Sequence, residues 1–205
     1  MKRFAYYCSG GASRILKFYS QFSTSDYPVL FIYYDGGNQQ VEKNLNGLFP
    51  GRIFTPQAEQ IKERKTISEK LLFLLELNKV DYLFCFGDKI LRQPLIEKYS
   101  NRIINFHPSL LPAFPGLKSI DQALASSVQI LGNTAHFINE GIDSGPVIMQ
   151  SAISRAAYKD YEDVLGLQIP MLKRIWDLLE AGKIYVVGEK VMIETEGNFK
   201  PYFTL

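Results

Sequence analysis

The chain has 205 residues, 46% hydrophobic and 21% charged, a globular balance that excludes wholesale disorder and leaves enough length to bury a core. Lys and Arg total 23 against 21 Asp and Glu, and the net charge of +2 calls for no nucleic-acid or membrane partner. No apolar run approaches the ~20 residues that span a bilayer, the N-terminus lacks the hydrophobic stretch of a signal peptide, and two cysteines without metal-ligand spacing predict free buried thiols, no metal and a cytoplasmic location.

Short aromatic and β-branched runs alternate with amphipathic stretches over the first half, the pattern of α/β units. A strand is predicted over residues 3–8, then a turn at Ser9-Gly10-Gly11-Ala12, then a helix over 13–21 that buries Ile15, Leu16, Phe18 and Tyr19. A second strand over 29–34 closes at Asp35-Gly36-Gly37, and residues 36–40 read as a flexible loop. A short strand at 52–55 follows. The charged tract Lys62-Glu63-Arg64-Lys65 reads as a solvated turn, and a helix is predicted over 66–78 with Ser68 and Glu69 near its start. Residues 80–86 form a continuous apolar run, as in a strand covered on both faces.

Next come a helix over 91–99, a strand over 102–106 and a proline-studded loop with Pro108, Pro112 and Pro115. A helix over 119–126 precedes two strands, 132–139 and 146–153, which flank the turn Glu140-Gly141-Ile142-Asp143-Ser144-Gly145. The longest helix is predicted over 161–181, kinked or divided by Pro170, and a hairpin turns around Gly188-Glu189. Without repeats or long linkers, one domain over residues 1–205 is expected.

Asn105 and His107 end a strand. Residues two apart on a strand share a face, so the two side chains project together while Phe106 packs behind them. An amide donor beside an imidazole suits carbonyl chemistry: one binds a developing oxyanion while the other moves protons. Asp143, in a Gly-flanked turn, adds a carboxylate that can orient the imidazole or hold a water. The residues alone leave the plainer alternatives open: a capping Asn, a structural His and an Asx-turn Asp. His136, in mid-strand, reads as a structural residue.

The stretch Asn105-Phe106-His107-Pro108-Ser109-Leu110-Leu111-Pro112-Ala113-Phe114-Pro115-Gly116 resembles a signature of the folate-dependent formyltransferases, and most of all their glycinamide ribonucleotide branch. Gly132-Asn133-Thr134-Ala135-His136-Phe137, followed by Gly141-Ile142-Asp143-Ser144-Gly145-Pro146, is similar to the family's second signature, and the spacing between the two also fits. The resemblance implies a Rossmann-like α/β fold: a mostly parallel sheet with helices on both faces. It implies 10-formyltetrahydrofolate as co-substrate and Asn105, His107 and Asp143 as the catalytic residues. It further implies a cis peptide before Pro112. The folate is expected at Lys89, Ile90 and Leu91 and at Asn139, Glu140 and Gly141, in the crevice at the carboxyl ends of the strands. The amine substrate is expected at Gly10, Gly11, Ala12, Ser13, Arg14 and Pro108.

The sequence departs from the family's purine enzymes at three places. Their Gly-rich first loop ends Gly-Ser-Asn, whereas Ala12 and Arg14 flank Ser13 here; Arg14 either grips a phosphate through its guanidinium or is merely solvated. Gln168 or a close neighbour stands in the nearest register to their acceptor-contacting glutamate. Asp88 is foreign to the segment preceding Lys89. The resemblance therefore implies formyl transfer to the primary amine of a phosphorylated small molecule, with glycinamide ribonucleotide as the first choice. The alternatives are a nucleotide-linked amino sugar as acceptor and hydrolysis of formyltetrahydrofolate, whose enzymes carry an extra N-terminal domain where this chain begins at a strand. A non-enzymatic binding module is the reading from another class. A small-molecule amine is the expected partner, and a monomer or homodimer the expected state.

Overall fold

The structure is a computed structural model that describes residues 1–56, 64–194 and 203–204. The chain divides into two units, Met1–Ile104 and Asn105–Leu205.

In the first unit β1 (Phe4–Cys8), α1 (Ser13–Tyr19), β2 (Val29–Tyr34), α2 (Gln39–Leu48), β3 (Ile53–Phe54), α3 (Arg64–Leu77), β4 (Tyr82–Phe86) and α4 (Leu95–Lys98) follow in chain order. The strands pair in parallel in the order β4-β1-β2-β3, with Tyr7 opposite both Tyr33 and Cys85. All five residues of β1 are buried, as parallel strands covered on both faces must be. Rings supply much of the filling. Phe4 stacks on Phe84 at 5.5 Å between centroids, and Tyr19 meets Phe49 edge to face at 4.7 Å.

Several boundaries differ from expectation for local reasons. Residues 39–40 belong to α2 rather than to a loop, because Asn38 caps that helix: its Oδ1 accepts the N–H groups of Gln40 (2.9 Å) and Val41 (3.2 Å). Ser68 does not cap α3; it is fully buried, and its Oγ accepts the N–H of Arg92 at 3.0 Å. The helix expected from residue 91 is confined to α4, beyond a cis Gln93–Pro94 peptide. Of the charged tract at 62–65, Lys62 and Glu63 lie outside the described residues, and Arg64 and Lys65 begin α3 instead of forming a turn. Cys8 and Cys85 are buried free thiols. Burial raises both above the usual thiol value, Cys85 to about 12.

β5 (Ile103–His107) runs into the second unit, where α5 (Ser119–Ala125), β6 (Ile130–Phe137), β7 (Val147–Ser154), α6 (Tyr161–Leu165), α7 (Gln168–Glu180), β8 (Ile184–Val187), β9 (Lys190–Ile193) and β10 (Phe203–Thr204) follow. Their sheet order is β10-β7-β6-β5, with β6 and β7 antiparallel and β10 parallel to β7, while β8 and β9 form a separate antiparallel hairpin. Gly132 is where β6 passes closest to its partner: a Cβ there would lie 2.1 Å from the carbonyl oxygen of Ser151 and 2.8 Å from Leu110. The long C-terminal helix is divided. Asp160 and Asp163 form a capping box at the start of α6, the break falls at residues 166–167, and Pro170 sits in the first turn of α7, where its missing N–H costs nothing. Leu172, Ile175, Trp176 and Leu179 of α7 are buried. Among the described residues no helix is long and apolar enough to cross a membrane.

Candidate active site

The ends of β5 and β6 and the turn after β6 bring four polar side chains of the second unit together. Asn105 and His107 project on the same side of β5. His107 Nδ1 lies 3.2 Å from Asp143 Oδ2, and its Nε2 is 2.9 Å from the carbonyl oxygen of Phe114. The ring, 5% exposed, therefore faces an acceptor at each nitrogen and can donate on both sides in its imidazolium form. Asn105 Nδ2 lies 3.3 Å from His136 Nε2, while His136 Nδ1 lies 2.9 Å from the carbonyl oxygen of Phe137. A carbonyl only accepts, so Nδ1 carries the proton and Nε2 accepts the Asn105 N–H. His136 Nε2 is also 3.6 Å from Asp143 Oδ1. One carboxylate thus stands between two imidazoles, and one imidazole orients the amide.

Asp143 occupies a left-handed conformation at φ 49°, and its Oδ2 also accepts the N–H of Gly116 at 2.8 Å. Loss of hydration by itself raises its pKa. The nearby His136 ring, the hydrogen bond from the Gly116 N–H and the charge of His107 outweigh that and hold the carboxyl below the usual carboxylate range. The turn that presents it is built by Asn139, whose Oδ1 accepts from the N–H of Gly141 (3.2 Å) and the hydroxyl of Ser144 (3.0 Å). Gly145 passes so near Phe137 that a Cβ would lie 1.8 Å from its carbonyl oxygen. Asn139, Glu140 and Gly141, expected at the folate, are all exposed on this turn.

The loop after His107 is anchored by β6 and β7. Leu111–Pro112 is cis; the Leu111 N–H donates to Thr134 Oγ1 at 3.0 Å, and Gln150 Nε2 donates to the Leu111 carbonyl at 3.0 Å. Thr134 Oγ1 in turn donates to the carbonyl of Ser109 at 2.7 Å. Thr134 and His136 are two apart on β6, so one strand face both shapes the loop and supports Asn105. The same alternation that picked out Asn105 and His107 could have singled out that pair, but a buried mid-strand histidine reads as structural when its neighbours are unknown. Pro108, expected at the substrate, lines an apolar cavity of about 370 Å³ along with Leu110, Phe114, Ile120, Val128 and Val164.

Gln168 does not face solvent. It is 3% exposed, and its Nε2 donates to Asn133 Oδ1 at 2.9 Å and to the Phe106 carbonyl at 3.5 Å. The side chain satisfies the interior behind β5 and β6 instead.

In the first unit the loop after β1 contains Gly10 (φ 55°) and Ala12 (φ 47°) in left-handed conformations. Gly11 and Ser13 are exposed. Arg14 is not a solvated side chain: it is 8% exposed, and its Nη2 donates to Ser13 Oγ at 3.3 Å. Asp88 acquires a role here, since its N–H donates to Ser9 Oγ (3.1 Å) and its carboxylate pairs with Lys89 Nζ at 2.9 Å. Desolvation opposes the ionised form of Asp88, yet the hydrogen bond and charge of Lys89 and the nearby Ser9 leave its pKa lowered. Ile90 is exposed and Leu91 buried. Among the described residues no cluster of three or more His, Cys, Asp or Glu is placed to hold a metal ion.

The sequence pattern of the formyl transferase family matches residues 2–166. The chain is 31% identical over 180 residues to phosphoribosylglycinamide formyltransferase of Bacillus subtilis (strain 168), a match covering 86% of this chain and 91% of that one. It is 37% identical over 109 residues to formyltetrahydrofolate deformylase of Haemophilus influenzae, covering 51% of this chain and 39% of that protein. The crystal structure of glycinamide ribonucleotide transformylase 1 from Symbiobacterium toebii superposes with a TM-score of 0.82 at 26% identity, covering 94% of each chain.

Proposed function

Because the chain belongs to the formyl transferase family, we propose that it transfers the formyl group of 10-formyltetrahydrofolate to the amine of glycinamide ribonucleotide, a step of purine biosynthesis. The observation that carries this reading is the convergence of Asn105, His107 and Asp143 at the ends of β5 and β6, with His107 Nδ1 3.2 Å from the carboxylate. The amine nitrogen bonds to the formyl carbon as the carbonyl electron pair moves onto oxygen. Asn105, oriented by His136, donates an N–H to that oxygen, and a preorganised donor of this kind commonly contributes about 10²–10³ in rate. His107 joins it once its Nε2 exchanges the Phe114 carbonyl for the substrate. When the carbonyl reforms, the bond to the folate nitrogen breaks, and the proton lost by the amine passes to that nitrogen through His107 and Asp143. The low pKa of Asp143 keeps it ionised, and so able to hold the imidazolium, through the neutral range.

The exposed turn of Asn139, Glu140 and Gly141 and the segment Lys89, Ile90 and Leu91 are read as the folate residues. Gly10, Gly11, Ala12, Ser13, Arg14 and Pro108 are read as the acceptor residues, with Arg14 and the loop N–H groups on the phosphate. A buried arginine beside an exposed glycine loop supports the latter. The family match runs through the division between the units, which supports a single formyltransferase domain, and a cytoplasmic location suits small soluble substrates.

The similarity to a deformylase supports a second reading, in which water replaces the amine. The decisive experiment incubates the protein and 10-formyltetrahydrofolate with glycinamide ribonucleotide, with a nucleotide-linked amino sugar, and with no amine. Formylation of glycinamide ribonucleotide is the expected result. Formate release at the same rate without any amine, or reaction of the amino sugar alone, overturns the assignment.

A further inference from the structure

Tyr34 is the last residue of β2 and is fully buried, yet its hydroxyl does nothing for the strand ladder. The β1–β2 register ends at the pair Cys8–Tyr34, and the hydroxyl acts beyond it. It donates to the carbonyl oxygen of Gly10 at 2.9 Å and accepts the N–H of Asn38 at 3.2 Å. One atom therefore ties the loop after β1 to the residue that caps α2. The next residue fixes the root of the same loop. Asp35 Oδ1 accepts from Ser9 Oγ at 2.5 Å, Oδ2 accepts from the Tyr7 hydroxyl at 2.9 Å, and the Asp35 N–H donates to the Cys8 carbonyl at 3.1 Å.

Two glycines show that the arrangement is specific. Gly36 is not left-handed, so its backbone would accept a side chain. A Cβ there would lie 2.5 Å from the Tyr34 hydroxyl oxygen and 2.6 Å from the ring. The ring of Tyr34 is what requires glycine at 36. Gly11 is the opposite case: it is not left-handed and a Cβ would meet nothing within 4 Å, so no contact among the described residues demands glycine there.

The peptide joining Gly10 and Gly11 is trans, and in a trans peptide the C=O and N–H point in opposite directions. With the Gly10 carbonyl held on Tyr34, the Gly11 N–H is turned away from that hydroxyl, and Gly11 itself is exposed. A carbonyl dipole that would repel an anion is drawn inward as an amide that attracts one is presented.

We propose that Tyr34 is a positioning residue for acceptor specificity: its hydroxyl sets the 10–11 peptide so that the loop recognises the phosphate of the acceptor. The proposal rests on the reading of Gly10–Arg14 as the phosphate-gripping residues. Tyr34→Phe removes only the hydroxyl. Gly36→Ala keeps the hydroxyl but pushes the ring from its place, so it serves as an independent second variant. Each variant raises the KM for glycinamide ribonucleotide about three- to thirty-fold, the scale for one or two lost hydrogen bonds. In each, kcat and the KM for folate stay within about twofold, and the KM for the phosphate-free glycinamide riboside does not move. The combined variant is no worse than the poorer single one, because both act on one atom. Equal KM changes for the two acceptors, or an unchanged KM for the ribonucleotide in both variants, overturn the proposal. Titration with inorganic phosphate, read by calorimetry, separates this inference from the choice of acceptor. Weaker phosphate binding in Tyr34→Phe supports the role of Tyr34 even if glycinamide ribonucleotide proves inert in the wild type, and unchanged phosphate binding defeats it.

Discussion

Two loop clusters, one in each unit, are held by different means. After β1 and β2 the constraints run from hydroxyls to the main chain and to one carboxylate: Tyr34 to Gly10, Tyr7 and Ser9 to Asp35, Ser9 to the N–H of Asp88. What that cluster presents outward is backbone. After β5 and β6 the constraints run between side chains that titrate or donate, with Asp143 between His107 and His136 and Asn105 on His136. There the side chains themselves are presented. On the proposed reading the first cluster offers main-chain N–H groups beside the Arg14 guanidinium, and main-chain groups tolerate changes of residue type, as Ala12 shows where the purine enzymes have Gly. A site made of an imidazole, a carboxylate and an amide tolerates few, because no other groups carry those functions.

The largest test of this contrast lies in the second cluster. His107→Ala and Asp143→Asn should each lower kcat by at least about 10²-fold, the usual scale for a proton-transfer group, with the thermal unfolding midpoint little changed. Steady-state rates near wild type in either variant would remove that residue from the chemistry. The backbone-made cluster should respond differently. Arg14→Ala should raise the acceptor KM about ten- to a hundred-fold, as expected for one charge-assisted contact, with kcat and folate affinity held. Since Arg14 is buried, Arg14→Lys serves as the check on folding; it keeps the charge and should recover part of the loss. An equal effect on an acceptor without phosphate would show that Arg14 supports the fold rather than the ligand. The smallest kinetic effect is expected at Gln168. Its replacement by Ala should cost about 1–3 kcal/mol of stability, from the buried Asn133 Oδ1 that loses its Gln168 donor, and leave the acceptor KM unchanged. A raised KM without lost stability would return Gln168 to the acceptor.

Much of the architecture was legible because periodicity reports burial. The strands at β1, β2 and β4 read as short apolar aromatic runs, and α7 as a long amphipathic stretch. α2 was not legible, since residues 39–48 carry one buried side chain, Leu45, and the helix depends on the Asn38 cap and on what packs beneath it. The length of the helix at 91–99 was overread because Leu91 and Leu95 are apolar while the segment between them is not helical. At the site, Asn105, His107 and Asp143 were visible through residue type and position. His136 read as a structural residue and is buried and paired as one; that one of its partners is Asn105 is decided by neighbours the sequence does not show.

The sequence by itself determined the α/β class, the family and the residue types capable of carbonyl chemistry, because these follow from local patterning and from motifs whose chemistry admits few substitutes. The tertiary structure decided which partners each polar group has. It spent Gln168 on the interior, joined His136 to Asn105, buried Arg14, and hung the first loop on the hydroxyl of Tyr34. Hydrogen bonds between residues distant along the chain have no periodicity, so a sequence records the groups that make them but not the pairs they form.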